Sequence, residues 1–329
     1  LGGYLSNYNF NSFANNAMIY DIQLDGNGWV YTTAKDRVEK WDGTSWSFVG
    51  TNGIPTSYTM GADLVLTLAM DNMGNLYAAG LFENSTGYKF VAKWDGISWT
   101  ELGGQNTLHA NDQINSIYID ADNNVYVGGK FKNNQGNVYV AKYDGTSWSS
   151  LGGTGLTNDN LDYINSISGN SNGTIYCAGS FTNSSSNHYL AACDQLGWFE
   201  LGGFNGLSSP YGNMNWGGEM NSVTVDAQDN VYVAGNFSNN SGNRFVAKYN
   251  GSNWSELGGA NALAATGNFS GALNYISDVL VQNDNIFCVG NFTSGGPYRF
   301  VARYQNGNWT ELGADGSLAA ASWINAIAA

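Results

Sequence analysis

The chain has 329 residues, of which 44 are Gly, only 3 are Pro and 14% are aromatic, a composition too aromatic for a disordered or fibrous protein. Twelve Lys and Arg against 26 Asp and Glu give a net charge of −14, the wrong sign for a nucleic-acid partner. No apolar run is long enough to predict a membrane-spanning helix, so we expect no membrane insertion.

Internal repeats organise the chain from one end to the other. In the third copy, short runs rich in β-branched and aromatic residues predict strands at 114–120, 124–131, 137–144 and 147–153, separated by turn formers such as Asp-Gly. Segments with helical periodicity are absent. A Trp recurs at the end of each copy, roughly every 50 residues, at Trp46, Trp99, Trp148, Trp198, Trp254 and Trp309.

Four antiparallel strands in each repeat predict a β-propeller, because one such sheet covers its two faces only when neighbouring blades stack on it. We therefore predict an all-β fold with a single propeller domain over 1–329. Residues 1–3 match the end of an outermost strand and 323–329 the start of an innermost one, so we expect a window of a longer chain with a seventh blade outside it. Six complete blades are predicted at approximately 17–50, 63–104, 113–153, 163–203, 219–259 and 275–313.

The blades end in the motif Ala-Lys-Trp-Asp-Gly-x-x-Trp-x-x-Leu-Gly-Gly, with the best copies at 92–104, 141–153 and 247–259. The motif resembles that of secreted bacterial repeat proteins of Bacteroidetes-type surfaces and, more loosely, kelch-like propellers and bacterial propeller lectins. The resemblance implies a propeller fold and a secreted or cell-surface location. It implies no single function, since propellers serve as lectins, hydrolases and scaffolds.

Charged residues repeat on the outer strands: five blades carry a cation before the aromatic residue of the third strand, and four carry Glu eight residues later. We expect cross-strand ion pairs across the Asp-Gly hairpins and interpret them as architecture, with a sugar-binding acid and base between blades as the alternative. The repeated Trp residues are likewise interpreted as packing groups. The expected ion pairs are Lys93–Glu101, Lys248–Glu256 and Arg303–Glu311.

The turns between first and second strands are rich in Asp, and Asp120, Asp122 and Asn124 have a spacing that permits a calcium site. Phe131 stands where a bidentate Glu would be required, so we favour hairpin chemistry and expect no cofactor. Asn residues at the starts of the innermost strands form either a polar ring at the channel mouth or local backbone bonds, the favoured interpretation. These are Asn115, Asn165, Asn221 and Asn325.

Catalytic motifs are weak. The Gly-x-Ser-x-Gly run at 169–173 falls in a predicted hairpin rather than at the strand-to-helix turn of a nucleophile elbow. The chain has two His residues, too few for a three-His metal site, and no Gly-rich phosphate loop.

Residues that differ between blades are better candidates for a ligand site, because the fold does not require them. The connections between blades, the longest from 203 to 219, supply aromatic residues beside Asn and Asp, a combination suited to sugars. The alternative is that these aromatic residues plug the loop bases. Other connections contribute Tyr58, His109 and Tyr275. The candidate ligand-binding residues are Tyr211, Trp216, Glu219, His188, Trp323 and Tyr163.

Blade 4 departs most from the repeat, since Ala192 and Cys193 replace the cation and the aromatic residue. Either Glu200 finds another partner, or the smaller side chains open a groove beside the 203–219 connection, which we favour slightly. A disulfide between Cys177 and Cys193 is conceivable, but free buried Cys is the favoured interpretation.

These features predict, first, an extracellular or cell-surface binding or adhesion module without catalysis. The second hypothesis is a lectin that binds glycans on the loop face or between blades. The third is a glycoside-cleaving enzyme at the channel mouth, with Glu219 and Asp162 as acid and base. We expect glycans or surface proteins as partners, within a larger multidomain chain or assembly.

Overall fold

The computed structural model describes residues 18–50, 53–54, 64–153, 155–156, 162–203, 207, 218–239, 241–260, 262–263, 275–293, 299–313, 318, 320 and 322–328. This part of the chain contains twenty-four β-strands and no α-helix. A helix long and apolar enough to cross a bilayer is accordingly not found in it.

The strands form six four-stranded antiparallel sheets, each in chain order from the inside outward. Blades 1 and 2 comprise β1 (Ile22–Leu24), β2 (Val30–Ala34), β3 (Arg37–Trp41) and β4 (Trp46–Phe48), then β5 (Val65–Met70), β6 (Leu76–Gly80), β7 (Ala92–Trp94) and β8 (Trp99–Glu101). Blades 3 and 4 comprise β9 (Ile114–Ile119), β10 (Val125–Gly129), β11 (Ala141–Tyr143) and β12 (Trp148–Ser150), then β13 (Ile164–Gly169), β14 (Ile175–Gly179), β15 (Ala191–Asp194) and β16 (Gly197–Glu200). Blades 5 and 6 comprise β17 (Met220–Val225), β18 (Val231–Gly235), β19 (Ala247–Tyr249) and β20 (Trp254–Glu256), then β21 (Ile276–Gln282), β22 (Asn285–Gly290), β23 (Ala302–Gln305) and β24 (Asn308–Glu311). The predicted propeller of six complete blades is confirmed.

The hydrophobic core lies between the blades. Each cluster of buried residues joins two neighbouring sheets, as where Tyr77 and Ala79 of blade 2 pack with Ile114 and Val125 of blade 3. The second strand is buried along its whole length in blades 1 to 5, because it has a neighbouring blade on each face. Burial on both faces explains why the sequences of these strands consist mainly of apolar and small residues and do not alternate between apolar and polar residues.

Five of the six repeated Trp residues, all except Trp46, pack between blades as predicted and also form a hydrogen bond there. The indole Nε1 of Trp99 donates to the carbonyl oxygen of Val49 in the preceding blade at 2.8 Å. The same donor–acceptor relation recurs in the pairs Trp148–Leu102, Trp198–Leu151, Trp254–Leu201 and Trp309–Leu257, at 3.1 to 3.2 Å. The outer edges of successive blades are therefore bonded as well as packed.

The predicted cross-strand ion pairs are wrong. In blade 2, Ala92 lies opposite Glu101 and Lys93 lies opposite Thr100. Opposed residues in this hairpin are an odd number of positions apart, so residues eight apart point to opposite faces of the sheet. Blades 5 and 6 show the same register, which separates Lys248 from Glu256 and Arg303 from Glu311.

The carboxylates and the ammonium groups of this repeated pattern contact other residues instead. Glu101 accepts hydrogen bonds from Asn84 Nδ2 at 3.2 and 3.3 Å, and Glu200 and Glu256 accept equivalent bonds from Asn183 and Asn239. The ammonium groups lie over Tyr rings of the second strand, at 5.2 to 5.4 Å from the ring centre, a cation–π contact. These pairs are Lys93–Tyr77, Lys142–Tyr126 and Lys248–Tyr232.

The Asp-rich turns are locked hairpins, as predicted. Asp120 Oδ1 accepts from the backbone N–H groups of Asp122 and Asn124, and Oδ2 accepts from Asn124 Nδ2 and from the hydroxyl of Tyr126. A calcium ion at Asp120, Asp122 and Asn124 would have to compete with these four bonds. In the described ranges no group of three or more His, Cys, Asp or Glu residues is placed to hold a metal ion.

The side-chain amides of the Asn residues on the innermost strands donate to the backbone of the next blade rather than to their own, contrary to the favoured interpretation. Asn115 Nδ2 donates to the carbonyl oxygen of Ile164 at 2.8 Å, and Asn165 Nδ2 donates to that of Met220 at 3.1 Å. Each Asn therefore bonds the next blade at the inner edge of the ring. A local interpretation missed this because it considered one repeat at a time.

Blade 4 has no groove at Ala192 and Cys193, which are 0% and 3% exposed, while Tyr211 and Trp216, beside which the groove was predicted, lie outside the described residues. Trp198 lies close to Gly152 of blade 3, as the equivalent Trp residues of other blades lie close to the equivalent Gly. Glu200 keeps the Asn partner that its counterparts have, so no orphaned carboxylate results. Cys177 and Cys193 are free and buried, as favoured.

Residues 322–328 lie between blade 6 and blade 1 in the place of an innermost strand. Ser277 Oγ donates to the carbonyl oxygen of Ile324 at 2.7 Å, and Asn325 Nδ2 donates to that of Ile19 at 2.9 Å. Both bonds repeat the inner-edge contact seen between the other blades. Residues 322–328 thus occupy the position of an innermost strand, while the start of a further repeat at 323–329 and a seventh blade outside the chain stay predictions.

Candidate functional site

The residue that precedes each innermost strand stands at one end of the central channel. In blades 4 and 5 these residues are Tyr163 and Glu219, whose carbonyl oxygens accept the backbone N–H groups of Ser180 and Asn236 at 3.1 and 2.8 Å. The same bond holds Leu64, Gln113 and Tyr275 in blades 2, 3 and 6. The backbone of this position is fixed around the ring, while its side chain varies from blade to blade.

Glycine at the end of the second strand makes this arrangement possible. A Cβ at Gly179 would lie 2.1 Å from the carbonyl oxygen of Tyr163, and one at Gly235 would lie 2.2 Å from that of Glu219. No side chain fits at such distances, so the repeated Gly brings the two strands together. The sequence thereby positions the residues that stand at the channel mouth.

Four consecutive positions at this mouth carry three aromatic rings and one carboxylate, which we call the aromatic rim: Tyr163, Glu219, Tyr275 and Trp323. The rings of Tyr275 and Trp323 are 6.0 Å apart at an interplanar angle of 54°. Trp323 is 53% exposed, and the other three are half-buried. The rim therefore has aromatic rings and a carboxylate at consecutive blade positions.

Tyr163 and Glu219 are coupled within the rim. Burial, together with the charge of Glu219 and the hydrogen bond to it, raises the pKa of Tyr163, so the phenol stays protonated and donates to the carboxylate. The ammonium group of Lys130 lies 5.3 Å from the centre of the Tyr163 ring. Burial also raises the pKa of Tyr275, to about 12. Both phenols are neutral hydrogen-bonding groups at physiological pH.

His188, which precedes the third strand of blade 4, lies close to the aromatic rim. A Cβ at Gly218 would be 2.4 Å from the His188 ring, so Gly218 lets the chain pass over the imidazole on its way to Glu219. Burial lowers the pKa of His188, and the nearby charges of Glu219 and Asp162 oppose that shift. The imidazole thus couples electrostatically to the rim carboxylate.

Asp162, the second member of the proposed acid–base pair, is only 7% exposed. A glycosidase requires two carboxyl groups that both reach the scissile bond. At this rim Glu219 is the more accessible of the two carboxylates. The structure therefore gives the enzyme hypothesis no second carboxylate open to a ligand at Asp162.

A second concave surface lies between blades 2 and 3. Its volume is about 420 Å³, and the rings of Tyr88 and His109 stack in its wall at 5.0 Å and 14°. Asn111 and Lys132 contribute polar groups. This cavity is one place where the hypothesis of binding between blades would put a ligand.

Of the six candidate residues, the structure groups Tyr163, His188 and Glu219. It places Trp323 beside Tyr275, at the following positions of the ring. Tyr211 and Trp216 lie outside the described residues. Tyr275 belongs to the rim although the sequence analysis noted it only as a loop aromatic residue, and Lys130 was missed. Tyr275 could have been identified from its position immediately before an innermost strand. Lys130 could have been identified from its position immediately after the Gly that ends a second strand.

Comparisons with known proteins extend to the fold only. No protein-family model and no curated protein matches the chain. A virginiamycin B lyase from Staphylococcus aureus is similar in structure, with a TM-score of 0.55, 14% identity, and coverage of 91% of this chain and 85% of that one.

The extracellular domain of a hybrid two-component system from B. thetaiotaomicron has a TM-score of 0.55 and 11% identity, and the match covers 88% of this chain and 33% of that one. The chain therefore spans about a third of that second protein. At such identities the likeness establishes a propeller fold, and function has to be argued from the site.

Proposed function

We propose that this propeller is a non-enzymatic binding module of a secreted or cell-surface protein and that its aromatic rim binds glycans. The observation that carries the proposal is the rim itself, where Tyr163, Glu219, Tyr275 and Trp323 occupy consecutive equivalent positions. The fold fixes the backbone at these positions and leaves their side chains free to vary. The presence of aromatic and carboxylate groups together at these four positions therefore supports a ligand-binding role.

The chemistry of the rim matches a sugar. The apolar face of a pyranose ring stacks on an aromatic ring, and Trp323 with Tyr275 presents two such rings at an angle. The Glu219 carboxylate and the hydroxyl oxygen of Tyr163, whose proton is donated to Glu219, supply acceptors for sugar hydroxyls. The net charge of −14 disfavours acidic glycans, so neutral sugars are the proposed ligand class.

A glycan array probed with and without calcium tests the proposal. We expect calcium-independent binding to neutral glycans and a loss of about tenfold or more, roughly 1.4 kcal/mol, in Trp323→Ala and in Glu219→Gln. His109→Ala, which alters the cavity between blades 2 and 3, is the matched control and should bind as the wild type does.

Three results would contradict the proposal. Binding lost in His109→Ala and retained in the rim variants would move the site to the cavity. An array without signal in either condition would leave proteins as the partners. Bond cleavage in any bound glycan would restore the enzyme hypothesis.

A further inference from the structure

The cavity between blades 2 and 3 is built around a pair of stacked rings. Tyr88 precedes the third strand of blade 2, and His109 lies in the connection from blade 2 to blade 3. The backbone N–H of Lys89 donates to the carbonyl oxygen of Ala110 at 2.8 Å, which ties the two segments together. The fold therefore holds the phenol and imidazole rings against each other in the cavity wall, with 5.0 Å between their centres.

Neither ring is required by the repeat. The backbone of Tyr88 makes the same two bonds to Asn84 that the backbone of Asn137 makes to Asn133 in blade 3, so this loop forms without an aromatic side chain. The sequence equivalents of Tyr88 in blades 3 to 6 are Asn137, Asn187, Asn243 and Tyr298. The sequence equivalents of His109 are Pro55, Thr157, Ser208, Ala264 and Ala319. Tyr and His therefore occur together only at this cavity.

His109 also has a backbone conformation that few side chains favour. Its φ is 56°, in the left-handed region where a residue with a Cβ is strained. Gly would relieve the strain, yet the connection has no Gly from 105 to 112. Backbone strain of this kind is concentrated at functional sites, so it supports a role for the imidazole itself.

Other parts of the wall supply hydrogen-bond donors. The ring of Tyr139 packs edge-on against the Phe of the second strand exactly where Phe90 and Phe245 pack in blades 2 and 5, so packing does not require its hydroxyl. Within the described residues no hydrogen bond engages the hydroxyl of Tyr139 or of Tyr88. Burial raises the pKa of Tyr139, which keeps its proton on the phenol. Both phenols line the cavity with a proton to donate.

The wall of this cavity contains no acidic side chain, although the protein is acidic. The chain has 26 Asp and Glu residues, and none of those that the structure describes lines the cavity. Lys132 does line it, and hydrogen bonds of 2.8 and 3.1 Å between its backbone and the Asn111 side chain fix its position. Because salt screens charges beyond about 8 Å at physiological ionic strength, the residues of the wall matter more to a ligand than the net charge of the chain.

We propose that this cavity is a second ligand site, independent of the aromatic rim, and that it binds a hexuronic acid unit of an acidic glycan. The apolar face of the sugar stacks on the Tyr88–His109 pair, the phenols donate to its oxygens, and Lys132 pairs with its carboxylate. The volume of about 420 Å³ falls within the range of about 300 to 1,000 Å³ that small-ligand sites have. The Glu219 carboxylate disfavours the same ligand at the rim, so the two sites select different sugars.

Calorimetric titration with the methyl glycosides of glucuronic and galacturonic acid tests the proposal. Each is compared with the methyl glycoside of the matching neutral hexose, which has a hydroxymethyl group in place of the carboxylate. We expect saturable one-to-one binding of at least one uronide, about tenfold tighter or more than its neutral counterpart. Raising the salt to about 0.5 M should weaken uronide binding and reduce that preference.

Three variants locate the site. Lys132→Gln should weaken uronide binding about tenfold or more and remove the preference over the neutral hexose. His109→Gly fits the left-handed backbone without strain, so binding should be lost in a chain that keeps its Tm. Tyr139→Phe should weaken binding as well. Tyr189→Phe, which removes the equivalent hydroxyl in blade 4, is the matched control and should bind the uronide as the wild type does.

Trp323→Ala alters the rim and should leave uronide binding unchanged, so this proposal and the proposed function fail separately. Three outcomes would overturn the proposal: no saturable binding of either uronide, equal affinity for uronide and neutral hexose, or binding that persists in both His109→Gly and Lys132→Gln. Binding lost in Trp323→Ala and retained in His109→Gly would likewise overturn it, because the uronide would then occupy the rim.

Discussion

Asp21 of blade 1 and Asp278 of blade 6 are carboxylates that repel each other across residues 322–328. Asp21 Oδ2 accepts the backbone N–H of Leu68 in the next blade, and Asp278 Oδ2 accepts that of Ile327, both at 3.0 Å or less. Enclosure by the innermost strands raises the pKa of Asp21 to about 7, and the charge of Asp278 contributes to the rise. The pKa of Asp278 is raised for the same reason of burial.

The pair makes stability depend on pH. Because the folded chain keeps the Asp21 proton up to about pH 7 while the unfolded chain releases it near 3.8, the contribution of Asp21 to stability falls as pH rises from about 4 to 7. Urea unfolding across this range should show a shallower decline in Asp21→Asn than in the wild type. Asp36→Asn, at an exposed Asp, is the control and should follow the wild type. Identical slopes for Asp21→Asn and wild type would refute the assignment.

The Asp71 hairpin should be sensitive to loss of one side chain. Asp71 has a fully buried carboxylate, and it accepts bonds from the backbone of Met73 and Asn75, from Asn75 Nδ2 and from the hydroxyl of Tyr77. Asp71→Ala leaves these donors without an acceptor and should lower the free energy of unfolding by about 2 to 4 kcal/mol. Asp122→Ala, at an exposed position of the equivalent turn, should change it by less than about 0.5 kcal/mol. Equal effects in denaturant titrations would show that the hairpin bonds contribute little.

Two adjacent glycines allow the contact with Trp198 to be measured apart from backbone strain. Gly152 and Gly153 both have positive φ, at 66° and 83°. A Cβ at Gly152 would lie 2.3 Å from Trp198 Nε1, whereas nothing lies within 4 Å of one at Gly153. Gly153→Ala should cost about 1 to 2 kcal/mol through φ alone, and Gly152→Ala should cost about 2 kcal/mol more. Thermal melts of both variants test this prediction. If Gly153→Ala lowers stability as much as Gly152→Ala does, the close contact between Gly152 and Trp198 is not what makes Gly necessary.

The three thiols should be unreactive in the folded protein. Cys177, Cys193 and Cys288 are buried, and burial raises the pKa of each. Iodoacetamide should therefore modify none of them until the chain is unfolded, when all three react. A reducing agent should leave Tm unchanged. A native protein in which only one thiol becomes reactive on unfolding would instead indicate a disulfide.

The repeat predicted the strands and blades well because turn formers and β-branched runs are local signals. The ion pair between Lys93 and Glu101 failed because a register depends on how the chain leaves the hairpin, and a one-position offset moves a side chain to the other face. The proximity of Tyr163 and Glu219 could not be predicted from either repeat alone. It exists because equivalent positions of successive blades become neighbours only when the ring forms.

The inner-edge bond of Asn115 to Ile164 and the outer-edge bond of Trp148 to Leu102 run in opposite senses around the ring. Every repeat thus brings one partner for the unit before it and one for the unit after it. If a whole repeat is duplicated or deleted, every donor and acceptor inside the array still has a partner. Only the two end faces of the array are affected. Such a chain can alter its length by gene duplication in single steps, each compatible with folding, while the side chains at the channel mouth diverge.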